Sequence, residues 1–486
     1  MGEIKKQTLS GVKWTAIERF SIQGVQFLLG IIIARLLTPA DYGLVALLGI
    51  FLTISQSIID CGISNALIRK PDLSEEDYST SFYFNIGMSA LCALALFLGS
   101  PWIADFFNQP LLSPIAKVYS LNLIIGAFGM VQGAKLTINL NFKSIARINF
   151  IAALGSGVTC LILAFFGWGV WALVLQAIMA NVIKNILLWS VTKWYPKLIF
   201  SKKSFKNLFD FGSKITASSL LHSLYCEMTG IVIGKFYTPA ALGNYSRGIT
   251  LAGMPMGIVT GISGKVTFPI FSKIQNDNER LINAYRNYVS LVMLLSCFGV
   301  ILLAALAKPV ILLLLSEKWS GAIIFLQIYA FAVIFDPIAQ LNLNLLQIKG
   351  RADLFFKLEI IKKGIAIGVL FAAIPFGVLA ICFSKIVYGQ ISLVINTYYT
   401  GKFFGLGYWS QMKDFTPYLL YSCISVIPAV LMAYFCPWNI VSIIVGAVAS
   451  LGVYLLILIK IKDRTFMDHI YPYLQKALSK VNIKTA

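Results

Sequence analysis

The chain has 486 residues, of which 58% are hydrophobic and only 12% charged, with 40 Lys and Arg against 20 Asp and Glu. Its mean hydropathy is +0.80. A soluble fold needs a far more charged surface, and a disordered chain far fewer apolar side chains, so the apolar residues must face lipid. The formal charge of +20 would suit nucleic acid, but in a polytopic membrane protein Lys and Arg chiefly set orientation, so no nucleic-acid partner is expected.

Apolar runs of roughly 20 residues, long enough to cross a bilayer, predict about 14 transmembrane helices. Taken along the chain, they cover 14–36, 42–67, 82–100, 113–133, 148–166, 169–191 and 208–235, then 242–268, 287–307, 321–346, 360–375, 377–399, 416–436 and 439–460. The first is read as a retained helix, because no small-residue cleavage site follows a short apolar run. The connections at 101–112 and 308–320 read as short interfacial helices. The fold class is therefore all-α. Eight scattered cysteines without a C-x-x-C pair read as apolar filler, not as disulfides or metal ligands.

With the N-terminus inside, the cytoplasmic segments hold 29 of the 40 cationic residues and the external ones four, the other seven lying within spans. That bias predicts both termini in the cytoplasm. The nine tryptophans all fall near predicted span ends, where an indole is half apolar and half wet.

An internal repeat lies at an offset near 200. Ile31-Ile-Ile-Ala-Arg-Leu-Leu-Thr-Pro-Ala-Asp-Tyr-Gly43 aligns with Ile231-Val-Ile-Gly-Lys-Phe-Tyr-Thr-Pro-Ala-Ala-Leu-Gly243, and Gly62-Ile63-Ser64 with Gly261-Ile262-Ser263. Further on, Pro101 faces Pro309, Gln132 faces Gln340, and Gly169-Val170-x-Ala172 faces Gly377-Val378-x-Ala380. Several matches in order argue for duplication. Six spans separate equivalent points, so the copies are parallel. The expected architecture is two six-helix lobes, 1–206 and 207–412, related by a pseudo-two-fold axis along the membrane normal. Two further helices follow at 413–461, and then a cytoplasmic tail at 462–486.

Charges retained at membrane depth cost roughly 2.5–3.5 kcal/mol on insertion scales, which makes each a functional candidate. The acids are Glu18, Asp60, Glu227 and Asp336; the cations are Arg19, Lys117, Lys184, Lys214, Arg247, Lys265 and Lys385, with His222 between. Snorkelling accounts best for Lys117, Lys214 and Lys265, and as well as any other reading for Lys184 and Arg247. Lys385, Asp336, Glu227 and His222 lie deepest. Polar residues also step by three or four: Arg19, Gln23, Gln26; Thr53, Ser57, Asp60, Ser64; Lys214, Ser218, His222; and Asp336, Gln340, Asn344, Gln347. Such stripes face protein or water, the plainer alternative being helix–helix hydrogen bonds. Most of the charges fall on the first two spans of each repeat, which predicts a common cavity with a cationic surplus suited to an anionic, diphosphate-bearing guest whose sugars meet the amides. The substrate-binding candidates are Arg19, Gln23, Gln26, Asp60, His222, Arg247, Lys385, Gln340 and Asn344. The ion-coupling candidates are Glu227, Asp336 and His222, since buried acids and an imidazole exchange protons most readily near neutrality. Gly261-Ile-Ser-Gly-Lys265-Val266 lacks what a phosphate loop needs, and two histidines cannot make a metal centre. No catalytic residue, metal or cofactor is expected.

The opening motifs Gly11-Val-Lys-Trp14, Ala34-Arg35-Leu-Leu-Thr-Pro-Ala-Asp-Tyr-Gly43 and Ala66-Leu-Ile-Arg-Lys70 resemble those of Wzx-type polysaccharide flippases of the multidrug/oligosaccharidyl-lipid/polysaccharide exporter superfamily, the O-antigen, capsule and colanic acid group. The span count, duplication and inside termini extend the likeness over the whole chain. The resemblance implies translocation of undecaprenyl-diphosphate-linked oligosaccharide from the cytoplasmic to the periplasmic leaflet of the bacterial inner membrane. It also implies alternating access, for which the candidates Glu227, Asp336 and His222 make a proton or sodium gradient the drive to test. The partners implied are the lipid-linked oligosaccharide, membrane lipid, a polysaccharide polymerase and a chain-length regulator. Two alternatives stand beside it: a cation-coupled multidrug antiporter of the same superfamily, and a membrane-embedded polysaccharide polymerase or ligase.

Overall fold

The computed structural model describes residues 21–70, 72–472 and 475, and for Lys214, Ser218, His222 and Lys265 it describes the backbone alone. Among the described residues the regular structure is helical, without a strand. The chain divides into two compact units, Met1–Gly243 and Asn244–Ala486.

The first unit holds α1 (Ser21–Leu36), α2 (Pro39–Asp60), α3 (Ile63–Arg69), α4 (Glu75–Phe107), α5 (Leu112–Ala127), α6 (Met130–Ile138), α7 (Phe142–Phe165), α8 (Val170–Thr192), α9 (Lys202–Phe236) and the first turn of α10 (Pro239–Lys273). The second holds the rest of α10, then α11 (Asn278–Ala305), α12 (Ala307–Leu314), α13 (Ala322–Val333), α14 (Asp336–Ile348), α15 (Ala352–Ala373), α16 (Val378–Phe404), α17 (Tyr408–Ser425), α18 (Ile427–Phe435), α19 (Asn439–Ile461) and α20 (Arg464–His469). Within the described residues every predicted apolar segment falls on one of these helices or on a consecutive pair, the start of 14–36 lying outside them. Among the described residues, ten such stretches are long and apolar enough to cross a membrane. The other four predicted segments lie on α1, on α9 and α10, and on α15, which carries Lys357, Glu359, Lys362 and Lys363.

The repeated Thr-Pro-Ala-x-x-Gly is a helix start in both copies. Thr38 caps α2 in a reciprocal box with Asp41, and Pro39 stands at the first helical position, where no amide hydrogen is needed. In the second copy the Thr238 hydroxyl accepts from the Ala241 amide at 3.2 Å, and Pro239 opens α10. The glycine ending each motif permits a crossing of the two starts: a Cβ on Gly43 would overlap the Pro239 carbonyl oxygen, and one on Gly243 the Pro39 carbonyl oxygen. Other repeat positions also share local structure. Gly169 and Gly377 precede α8 and α16 with φ of 53° and 96°, conformations a side chain strains. The break between α5 and α6 recurs between α13 and α14.

The stretch at 101–112 departs from expectation, because α4 runs unbroken through Pro101 to Phe107. Pro101 cannot donate to the Phe97 carbonyl, and the Ser100 hydroxyl does so in its place at 2.7 Å. The stretch at 308–320 does form a short helix, α12, followed by a 3-10 turn at Glu317–Trp319. Beyond α19, Phe466 of α20 is fully buried and Tyr418 donates to Asp463 at 3.2 Å, so the start of the tail is docked against the second unit.

Candidate functional site

Within the first unit α2 and α9 run antiparallel in a continuous register. Leu47 fills the space left by Gly234, and Ile50 the space left by Gly230. Thr53 lies within hydrogen-bonding reach of Glu227, the Ser57 and Ser223 hydroxyls are 3.4 Å apart, and Gly62 meets Gly212 backbone to backbone. Where the contact turns polar, a cavity of about 600 Å³ opens. Thr53, Gln56, Ser57 and Asp60 from α2 line it, with Asn65 of α3, Asn122 of α5 and Thr216 and Ser219 of α9; Leu52, Gly62, Leu123 and Met130 complete the wall. The α2 residues recur at three and four positions, one face of a helix. Asp60 is oriented by the Ser64 hydroxyl, which donates to its carboxylate.

A second cavity of about 490 Å³ lies in the same unit, lined by Gln26 of α1, Tyr42 of α2, Tyr119 of α5, Asn149 and Ser156 of α7, and Gln176, Asn181 and Lys184 of α8 among others. The Asn181 amide donates to Asn122 at 2.9 Å. Since Asn181 lines this cavity and Asn122 the first, that amide pair forms part of the wall between them.

The predicted residues distribute as follows. Asp60 lines the first cavity, Gln26 lines the second, and Gln23 lies exposed on α1. Glu227 projects from α9 toward Thr53, and Arg247 is half-buried two turns into α10. Asp336 opens α14, and Lys385 of α16 lies near enough for its charge to act on that carboxylate. Gln340 and Asn344 are half-buried on α14. Glu18 and Arg19 lie outside the described residues, as does the His222 side chain. The expected cationic surplus is not what the first cavity shows: among its described lining residues the one charged group is Asp60. Of the predicted cations, Lys184 lines the second cavity. Lys117 sits 5.7 Å from the centre of the Phe97 ring, and Lys235, at the other end of α9, donates to the Phe106 carbonyl at 2.5 Å.

Several polar groups were not singled out from sequence. Lys362, placed by charge counting in a cytoplasmic loop, is buried in the third turn of α15 and pairs with Glu359. The three-residue step from Thr53 to Gln56 was the available sign of Gln56. Asn342 and Gln411 exchange two hydrogen bonds of 2.8 and 2.9 Å, and Gln411 also accepts from Tyr285 at 2.9 Å. Nothing in the pattern of α14 separates Asn342 from Gln340 or Asn344; only packing does.

A family described as "Polysaccharide biosynthesis protein" matches residues 32–324. The chain belongs to this family. It is 28% identical over 358 residues to the teichuronic acid biosynthesis protein TuaB of Bacillus subtilis (strain 168), covering 73% of this chain and 74% of that one. It is 27% identical to the lipopolysaccharide biosynthesis protein WzxC of Escherichia coli (strain K12), covering 74% and 73%. Among solved structures, the lipid II flippase MurJ in an inward closed conformation superposes with a TM-score of 0.73 at 14% identity, over 92% of this chain and 99% of that one. An inward-facing MATE multidrug transporter of the MOP superfamily superposes at 0.56, with 16% identity over 81% and 94%. This polysaccharide biosynthesis protein therefore shares its helical fold with the lipid II flippase MurJ and with a MATE multidrug transporter.

Proposed function

We propose that this protein is a flippase that carries undecaprenyl-diphosphate-linked oligosaccharide repeat units from the cytoplasmic to the periplasmic leaflet of the bacterial inner membrane. It acts by transport, not covalent catalysis, with fourteen spans, two six-helix lobes alternating in access, and both termini in the cytoplasm. The observation that carries this reading is the α2–α9 cavity. Its hydroxyls and amides match the donors and acceptors of sugars, and its volume falls in the roughly 300–1,000 Å³ range of ligand sites. Asp60 accepts from sugar hydroxyls. Arg247 and Lys385 are the cations assigned to the diphosphate, while Glu227, Asp336 and His222 couple the cycle to a proton or sodium gradient. A polymerase and a chain-length regulator take up the delivered unit.

Deletion of the gene should make undecaprenyl-linked repeat units accumulate on the inner leaflet, with loss of surface polysaccharide. Normal surface polysaccharide in the deletion strain would reject the proposal. A cation-coupled drug antiporter is a second reading, favoured by one feature, the lone carboxylate of Asp60 among the described charges of the cavity. Drug sensitivity with intact glycans in the same strain would select it.

A further inference from the structure

The connection between α8 and α9 has no part in the proposed transport path, yet it carries exposed apolar residues outside every predicted span. Residues 193–201 form no helix, but their backbone is pinned to the start of α4. The buried Trp194 indole donates to Glu75 at 2.7 Å, the Lys197 amide donates to the Ser79 hydroxyl at 3.0 Å, and the Ser201 amide donates to the Thr80 hydroxyl at 3.0 Å. Between the last two, the Ile199 amide donates to the Lys197 carbonyl at 2.7 Å, which makes a three-residue turn with Leu198 at its tip. Leu198 is 93% exposed, and Tyr195, Ile199 and Phe200 beside it are exposed as well. A backbone held at both ends of the turn cannot fold these side chains inward, so they form an apolar patch that a partner must cover.

Ring contacts fix the depth of the patch. Tyr195 lies 5.7 Å from Trp189, and Phe200 lies 5.9 Å from Phe205, itself 5.1 Å from Phe84. Trp189 is near the end of the apolar run 169–191 and Phe84 near the start of 82–100, so the turn stands where spans meet headgroups. The same surface is cationic. Lys193, Lys197, Lys202, Lys203 and Lys206 are exposed, while Ser204 and Leu208 occupy the buried face of the first turns of α9. Of the acids at this end, Glu75 is engaged by Trp194 and Lys135, and Asp77 by Lys70. Five lysines therefore face the remaining Asp72, Glu76 and Asp210. An acidic protein surface would match the lysines alone. An anionic bilayer surface matches both features, since it takes ammonium groups at its phosphates and apolar tips at its acyl boundary.

We propose that the 193–206 connection is an interfacial anchor, which inserts Leu198 and Phe200 at the acyl boundary of one leaflet and holds anionic phospholipid headgroups with the lysines around them. It rests on the proposed function only for the leaflet, which the orientation makes the cytoplasmic one.

In the full chain Leu198 is replaced by the photoreactive p-benzoylphenylalanine and cell membranes carrying the protein are irradiated. Adducts with phospholipid are expected; adducts with a protein, or none, overturn the proposal. For the headgroups, the parent, Lys197→Gln/Lys202→Gln and, as a control of equal charge change, Lys273→Gln/Arg280→Gln are purified in detergent. Each is titrated with phosphatidylglycerol and phosphatidylcholine, and bound lipid is read by native mass spectrometry. A lysine near an anionic surface is worth about fivefold, so the first variant should bind phosphatidylglycerol about 25-fold more weakly than the parent. The control should match the parent, because its cations stand among Asp277 and Glu279. All the replaced side chains are exposed, so the variants fold. Equal loss in the control overturns the proposal, and so does a parent that binds the two lipids alike. Neither measurement needs transport or a known leaflet, so a chain that gives these results but flips nothing sinks the proposed function and leaves the anchor standing.

Discussion

Replacing glycine by alanine inside a helix ordinarily stabilises it by up to about 1 kcal/mol. In α2 the same substitution at two positions should have opposite signs. Gly49 has nothing within 4 Å of a new Cβ, so Gly49→Ala gains the helix preference and costs nothing. At Gly43 the new atom overlaps the Pro239 carbonyl oxygen, which is backbone and cannot rotate away. Relieving an overlap of that kind costs about 1–3 kcal/mol, and the helix preference is common to both variants. The difference between them is therefore the clash itself, about 1–3 kcal/mol against Gly43→Ala. Gly243→Ala should behave like Gly43→Ala, because it meets the Pro39 carbonyl oxygen in the mirrored way. The double variant should depart from additivity, since both substitutions act on one crossing. Thermal melting of the purified proteins in one detergent reads all four. If Gly43→Ala melts at or above Gly49→Ala, the two helix starts do not cross as described.

Three further outcomes follow from the polar groups. Gln411→Leu leaves partners on Asn342, Tyr285 and the Leu406 carbonyl unmatched, some of which keep other bonds, so a loss of about 2–4 kcal/mol is expected; an unchanged melting curve would refute the network's structural role. Asp60→Asn keeps the size of the side chain but replaces its charge, and should cut transport of lipid-linked oligosaccharide about tenfold while the protein still melts normally; wild-type flipping in vesicles would remove Asp60 from the site. Lys385→Ala should impair transport more than Lys117→Ala, because Lys385 acts on the Asp336 carboxylate while Lys117 rests on the Phe97 ring. Equal tolerance would show that depth is a poor guide to function in this chain.

The helices were legible because lipid imposes a length and a hydropathy that no other solvent does. The Thr-Pro starts were legible too, since a hydroxyl cap followed by a residue without an amide hydrogen is a local signal. Pro101 misled for the complementary reason. The helix continues through the proline, and the neighbouring Ser100 supplies a donor for the carbonyl that the proline leaves without one. The burial of Lys362 was not legible, because its pairing with Glu359 one turn earlier is a matter of packing that charge counting does not see. The choice of Asn342 over Gln340 as the buried amide of α14 depends on which face meets Gln411, a residue 69 positions away. No periodicity within one helix carries that information.

Among the described lining residues of the first cavity the charged group is a carboxylate, Asp60, and not a cation. Long cations were the conspicuous residues inside the spans, but length is what lets a cation leave the interior for a ring face or a carbonyl. The groups with no such escape are short: Thr53, Ser57, Asp60, Thr216 and Ser219. On α2 and α9 these short groups occupy the middle of a contact flanked by small residues, with Gly230 and Gly234 on one side and the Gly62–Gly212 approach on the other. Close packing at both ends fixes the separation of the helices, so the polar middle can neither collapse nor reach lipid, and a sugar-sized space follows. Substituting Gly212 by a larger residue should then push it against Gly62 at the edge of this cavity and distort the space, and should change transport even where every polar side chain remains.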